Sequence, residues 1–159
     1  MKKALIVSLL AVLLLPVLAL GCRSAEPLTP PVPPLHGGQQ AVLIEISTDE
    51  FMSNNHMVKD VELVPPGSLI ISLGSNPTTG FQWAGPAVIS NPSVIEQESH
   101  NFVEPQASGS APLAGAPGKD VWVFNSLEPG TTTISMGYSR PWEGGEKDAW
   151  TLTLKVTVK

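Results

Sequence analysis

The chain has 159 residues, with 16 prolines, 14 glycines, one cysteine and a formal net charge of −5. This length provides for one domain with a sizeable core and excludes two, and the single cysteine excludes an internal disulfide. The acidic balance, with no basic stripe, excludes a nucleic-acid-binding surface.

The first 22 residues have the pattern of a bacterial lipoprotein signal. Lys2 and Lys3 precede an apolar run over residues 4–20, and small residues lead to Cys22. We therefore expect cleavage before Cys22, lipidation of that residue, and an extracytoplasmic protein anchored in a membrane. The alternatives are an ordinary secreted form and an uncleaved anchor, although Pro16 interrupts the run and its length is near the lower limit for a span.

Residues 23–40 form a linker rich in proline and glycine. The segment has no periodic apolar residues, so we expect an extended polyproline-like spacer of roughly 3 Å per residue that ends in a flexible hinge. Such a spacer holds the following domain clear of the membrane. The alternative is a ligand for a proline-reading domain.

Residues 41–159 are predicted to form one all-β domain. Alternating or continuous apolar patterns, separated by turn signals, occupy residues 42–46, 57–64, 68–74, 81–83, 88–103, 120–125, 134–138 and 150–158. No segment has a helical stripe. Seven to eight short strands of this kind predict an immunoglobulin-like antiparallel β-sandwich.

One loop between two predicted strands is expected to be rigid, and it has the sequence Asn76-Pro77-Thr78-Thr79-Gly80-Phe81. Pro77 fixes its own φ and moves Asn76 out of the helical region, whereas Gly80 permits the positive φ of a tight reversal. We expect the hydroxyls and backbone amides of Thr78 and Thr79 to point outward. We call residues 76–81 the Asn76 loop, and its rigidity suits presentation to a partner.

The loop before the last strand begins with Arg140, Pro141 and Trp142, and we call it the Trp142 loop. Pro141 stiffens it, and Trp142 lies beyond the alternating strand, so its side chain is expected to be exposed. A rigid indole beside a guanidinium is the composition of an interface hot spot. The alternative is that Trp142 folds back as a lid on the end of the sandwich.

A third candidate, the glycine loop, consists of Gly115, Ala116, Pro117 and Gly118. It belongs to a long segment over residues 104–119 that is rich in Pro, Ala, Ser and Gly, and long loops are often functional. Glycines let a partner approach the backbone closely, whereas the alternative is an ordinary turn. An even number of predicted strands separates each of the three loops from the next, which predicts that all three lie at one end of the sandwich.

These three motifs, in this order and in an all-β chain, resemble the chagasin-like inhibitors of papain-family cysteine proteases over residues 41–159. The resemblance implies a monomeric protein without cofactors that binds a papain-like cysteine protease tightly and reversibly. It implies that the Asn76 loop covers the catalytic cysteine and histidine of the protease, with hydrogen bonds from Thr78 and Thr79. The Trp142 loop would pack on one side of the cleft and the glycine loop on the other.

The chain departs from the family at the glycine loop. The family carries Gly-x-Gly-Gly at this place, and here Pro117 replaces one glycine. Proline removes a backbone donor and fixes φ, which puts the detailed contacts of this loop in doubt.

The residues give no support to an enzyme. His56 and His100 do not stand at metal-ligand spacing, and no Gly-x-Ser-x-Gly nucleophile motif occurs. We interpret the acidic residues Glu143, Glu146 and Asp148 as a solvated hairpin tip. We therefore predict no catalytic or metal-binding residue. The alternative function is an envelope-anchored immunoglobulin-like binding or adhesion module, because one sandwich fold supports many functions.

Overall fold

The computed structural model describes residues 40–105 and 115–159. The predicted signal with Cys22, the linker up to residue 39, and residues 106–114 of the long loop lie outside the described residues. Within the two described ranges, no helix is long and apolar enough to cross a membrane.

The described residues of the domain form nine strands and one short helix, α1. The strands are β1 Gln40–Ile46, β2 His56–Leu63, β3 Gly67–Ser75, β4 Gln82–Trp83, β5 Val88–Ile89, β6 Ile95–Val103, β7 Gly118–Ser126, β8 Gly130–Ser139 and β9 Trp150–Val158, and α1 is Thr48–Ser53. One sheet has the order β1-β3-β7-β6, and the other has the order β2-β9-β8-β4 with β5 also beside β8. The predicted all-β, immunoglobulin-like sandwich is confirmed.

Strands β4 and β5 are two parts of one interrupted strand. Both run antiparallel to β8, with Trp83 opposite Tyr138 and Val88 opposite Ser135. Counting them as one gives eight strands, which agrees with the predicted number. It also preserves the even spacing that predicted all three loops at one end.

The sheets are mixed, although the sequence analysis predicted an antiparallel sandwich. β1 runs parallel to β3, and β2 runs parallel to β9. The reason is that α1 carries the chain from β1, at the edge of one sheet, to β2, at the edge of the other. The first two strands therefore pair with distant strands and do not form a hairpin, while the other ladders are antiparallel.

The prediction of a chain without a helix is wrong for residues 48–53. Ser47 and Glu50 form a capping box, in which Ser47 Oγ accepts from Glu50 N at 3.2 Å and Glu50 Oε2 accepts from Ser47 N at 2.8 Å. The backbone and side-chain hydrogen bonds from Ser47 lower the pKa of Glu50. Phe51 is fully buried between the sheets and fixes the helix to the core.

The core lies between the two sheets and is richest in aromatic rings at the end where the Asn76 loop begins. The Trp83 indole donates to the carbonyl of Gly74 at 3.0 Å, and the Trp122 indole donates to the carbonyl of Gly85 at 3.0 Å. Both indoles are buried, so these bonds satisfy polar groups that would otherwise cost free energy. This end of the sandwich is therefore a firm base for the loops above it.

Candidate functional site

The three candidate loops meet at one end of the sandwich, as predicted. The side-chain amide of Asn76 donates to the carbonyl of Gly115 at 3.0 Å. On the other side of the Asn76 loop, the Trp142 indole lies so close to Gly80 that an added Cβ there would be 2.6 Å from Trp142 Cη2. We call the combined surface of residues 76–81, 115–118 and 140–142 the wedge.

The Asn76 loop closes on itself through a 3₁₀ turn at Pro77–Thr79. The side-chain oxygen of Asn76 accepts from the Thr78 amide at 3.3 Å and from the Thr78 hydroxyl at 2.6 Å. The backbone carbonyl of Asn76 accepts from the Thr79 amide at 3.1 Å and from the Thr79 hydroxyl at 2.7 Å. Asn76 thus accepts all four of these hydrogen bonds, and we call it the hub of the loop.

These bonds correct the expectation that the amides and hydroxyls of the two threonines point outward as donors. All four groups donate inside the loop, and the Gly80 amide donates to the carbonyl of Pro77 at 3.0 Å. Gly80 ends the turn in the left-handed region, with φ 83° and ψ −4°, where glycine is favoured. Thr78 and Thr79 remain exposed, so they offer hydroxyl lone pairs and methyl groups to a partner.

A series of stacked rings connects the wedge to the core. Phe81 stacks on Tyr138 with ring centroids 5.5 Å apart, Tyr138 stacks on Trp150 at 4.7 Å, and Trp150 stacks on Phe51 at 5.3 Å. We call these four rings the aromatic row. The hydroxyl of Tyr138 also accepts a hydrogen bond from the backbone amide of Asn76 at 2.9 Å. The buried Tyr138 therefore contacts both the first and the last residue of the Asn76 loop.

The Trp142 loop extends this stacking toward solvent. The guanidinium carbon of Arg140 lies 4.4 Å from the ring centroid of Phe81 and 5.9 Å from that of Trp142, which places a cation between two aromatic faces. Trp142 is 51% exposed and braces Gly80. It is therefore not a buried lid on the sandwich, and the prediction of an exposed indole holds.

Lys147 ties the Trp142 loop together. Its ammonium donates to the carbonyl of Arg140 at 2.6 Å and to the carbonyl of Trp142 at 3.1 Å. The Arg140 amide donates to the carbonyl of Glu146 at 2.8 Å. The acidic side chains of this loop, Glu143, Glu146 and Asp148, are exposed, as expected for a hairpin tip.

The glycine loop divides into an exposed part and a buried part. Gly115 has φ 87° and is exposed, as is Pro117. Gly118 is buried at the start of β7, and an added Cβ there would lie 2.5 Å from Phe102 Cζ. Gly118 is thus required for packing beneath the loop, whereas Gly115 and Pro117 form its accessible surface.

In the described part of the chain, no group of three or more His, Cys, Asp or Glu side chains could hold a metal ion. His100, on the edge strand β6, pairs with Asp120 at 2.6 Å and stacks on Trp122, and His56 hydrogen bonds to Thr151 at 2.9 Å. Neither histidine belongs to the wedge.

Sequence comparisons relate the chain to known peptidase inhibitors. Residues 66–156 match the family model described as Chagasin family peptidase inhibitor I42. Amoebiasin-2 of Entamoeba histolytica is 36% identical over 91 residues, covering 56% of this chain and 68% of the relative. Chagasin of Trypanosoma cruzi is 33% identical over 95 residues, covering 57% of this chain and 82% of the relative.

Solved structures have the same fold. The crystal structure of the cysteine protease inhibitor EhICP2 from Entamoeba histolytica has a TM-score of 0.58 and 25% identity, covering 78% of this chain and all of that one. PbICP-C, solved in complex with falcipain-2, has a TM-score of 0.51 and 18% identity, covering 76% of this chain and 99% of that one. EhICP2 is thus a cysteine protease inhibitor, and the matched family model describes peptidase inhibitors.

Proposed function

The chain belongs to the chagasin family of peptidase inhibitors, and we propose that it inhibits papain-like cysteine proteases by placing the wedge in the active-site cleft. In this proposal the Asn76 loop covers the catalytic cysteine and histidine, the Trp142 loop packs on one wall, and the accessible part of the glycine loop lies on the other. The supporting observation is that Asn76 bonds to Gly115 while Trp142 packs on Gly80, which makes three loops one surface.

We propose that binding is tight because the wedge has little conformational freedom to lose when it binds a protease. The loop conformation is already fixed in the free protein by the hydrogen bonds to Asn76, by the stacking of Phe81 on Tyr138 and by the contact of Trp142 with Gly80. A preorganised loop loses little conformational entropy on docking, so more of the contact energy contributes to affinity.

The same geometry supports inhibition without cleavage. A peptide that binds as an added strand is extended, whereas the Asn76 loop is a 3₁₀ turn followed by a residue with φ 83°. Straightening it would break the internal bonds of Asn76 and move Phe81 away from Tyr138. We therefore propose that the inhibitor is released intact, which makes the inhibition reversible.

The direct test is inhibition of papain by the purified protein. We expect a stoichiometric complex, recovery of protease activity on dilution, and an inhibitor of unchanged mass after prolonged incubation. Absence of inhibition at micromolar concentration would contradict the proposal and favour the alternative of a binding or adhesion module.

Asn76 variants test whether the hub of the loop controls affinity. Asn76→Ala removes both side-chain functions, whereas Asn76→Asp keeps the oxygen that accepts from Thr78 and loses the donor to Gly115. We expect Asn76→Ala to lower the free energy of unfolding by about 1 kcal/mol, as for loss of a cap, and to weaken papain inhibition about tenfold, with Asn76→Asp intermediate. Urea unfolding and inhibition constants measure the two effects, and equal inhibition by all three proteins would contradict the role of the hub.

We also propose that Cys22 carries a lipid that anchors the protein in a membrane outside the cytoplasm, with residues 23–40 as the tether. The support is the sequence pattern that ends at Cys22. In a bacterial host, Cys22→Ser is expected to abolish incorporation of a radiolabelled fatty acid into the protein. Ser24→Ala is the control, and labelling of the Cys22→Ser protein would contradict the proposal.

A further inference from the structure

An apolar hollow of about 420 Å³ opens beside the wedge, between helix α1 and the Asn76 loop. The helix contributes Thr48 and Met52, and the wedge contributes Asn76, Thr79, Phe81 and Pro117. Its volume lies in the range of ligand-binding clefts, ~300–1,000 Å³. The hollow therefore has room for a large side chain.

The chemistry of the walls selects an apolar occupant. None of the described residues that line the hollow carries a charge, and the others among them are Tyr138, Ala149 and Trp150. The rings of Phe81, Tyr138 and Trp150 are engaged in the aromatic row, so they form a fixed wall. Removing apolar surface of this kind from water is favourable.

Met52 stands at the rim of the hollow with 66% of its surface exposed. An unbranched thioether adapts to partners of different shape. Its exposure is not required for the helix, because α1 is fixed to the core by Phe51. The Met52 side chain is thus available to pack on an apolar group that enters the hollow.

The position of the hollow indicates where the occupant comes from, and this step rests on the proposed function. Thr79 and Phe81 belong to the Asn76 loop and Pro117 to the glycine loop, so these wedge residues are also walls of the hollow. A protein seated on the wedge therefore contacts residues that also line the hollow. The surface of the hollow is therefore continuous with the proposed protease interface.

We propose that the hollow binds an apolar side chain from the rim of the protease cleft, as a fourth contact in addition to the three loops. Loops at the rim of a cleft vary in sequence more than the cleft itself. A contact with them changes affinity for one protease relative to another, which is a contribution to specificity. The hollow is thus a determinant of which papain-like proteases the chain inhibits.

The test compares a charge at the rim of the hollow with the same charge at the other end of the sandwich. Met52→Lys places an ammonium over the apolar walls, and Val64→Lys is the control, because Val64 is 53% exposed and follows β2 at the end away from the wedge. Inhibition constants are measured with papain and with cathepsin L. We expect Met52→Lys to weaken inhibition of at least one protease about fivefold, by different factors for the two, while Val64→Lys changes neither.

A conservative variant and an association measurement complete the experiment. Met52→Leu keeps an apolar rim and is expected to inhibit like the original protein, so a loss as large as that of Met52→Lys would overturn the proposal. If the original protein inhibits and Met52→Lys inhibits equally well, this inference fails and the proposed function stands. If the original protein inhibits neither protease, both fail. A dimer in analytical ultracentrifugation that Met52→Lys dissociates would overturn the inference by identifying a second copy as the occupant.

Discussion

Replacement of Gly80 by valine is expected to weaken protease inhibition about a hundredfold and to lower the free energy of unfolding by about 2 kcal/mol. Gly80 has φ 83°, a conformation that a β-branched residue avoids. Its Cβ would also meet Trp142 at 2.6 Å. Either the turn opens or the indole moves, and both outcomes destroy the wedge. Inhibition constants and urea unfolding measure the two effects.

Gly144 provides a matched control for the conformational part of this effect. It also has a positive φ, 72°, but among the described residues no atom beyond its two chain neighbours lies within 4 Å of the position of an added Cβ. Alanine at either site has an unfavourable positive φ, whereas only Gly80→Ala pushes against Trp142. We expect Gly144→Ala to inhibit normally and Gly80→Ala to inhibit poorly. Equal inhibition by these two variants would show that the contact between Gly80 and Trp142 does not maintain the binding surface.

Trp142→Ala is expected to weaken inhibition about thirtyfold, which corresponds to a hot-spot contribution of ~2 kcal/mol. Half of the residue is exposed in the free protein, and its contacts are with the loop residues Gly80 and Arg140. Trp142 is not part of the core between the sheets, so its removal is expected to disturb the wedge more than the fold. We expect the melting temperature to change by about 2 °C or less. Inhibition assays and thermal unfolding monitored by circular dichroism provide the measurements.

Leu127→Ala is the control for removal of an exposed apolar side chain. Leu127 is 43% exposed and follows β7 at the end away from the wedge, and its removal should leave inhibition unchanged. A melting temperature that falls strongly in Trp142→Ala would mean that the indole holds the fold together, and its assignment as a contact residue would then be wrong.

The strands and the site motifs were predictable because they depend on local patterns. Residues 150–158 alternate between apolar and polar side chains, and β9 occupies Trp150–Val158. The Asn76 loop was recognisable because Pro77 and Gly80 restrict the backbone through their own covalent structure. The location of all three loops at one end followed from counting strands, and the hydrogen bond between Asn76 and Gly115 agrees with that count.

Features that depend on distant partners were not predictable in the same way. To predict that β1 and β2 pair in parallel, one must know which strand lies beside each of them. The alternation of apolar and polar residues along a strand does not identify its neighbour. Helix α1 has six residues and one buried anchor, too few for an apolar stripe, although the spacing of Ser47 and Glu50 is a capping signal. The inward hydroxyls of Thr78 and Thr79 depend on the folded position of Asn76.

The aromatic row makes this domain a suitable scaffold for retargeting. Phe51, Trp150, Tyr138 and Phe81 stack in succession from α1 to the Asn76 loop, and they determine the shape of the loop from beneath. Pro117 and Glu143 are exposed residues of the glycine loop and the Trp142 loop, outside that succession and outside the hydrogen bonds of Asn76. A library randomised at these two positions, with the four rings kept constant, would therefore sample new protease preferences while every member inherits the same supporting architecture.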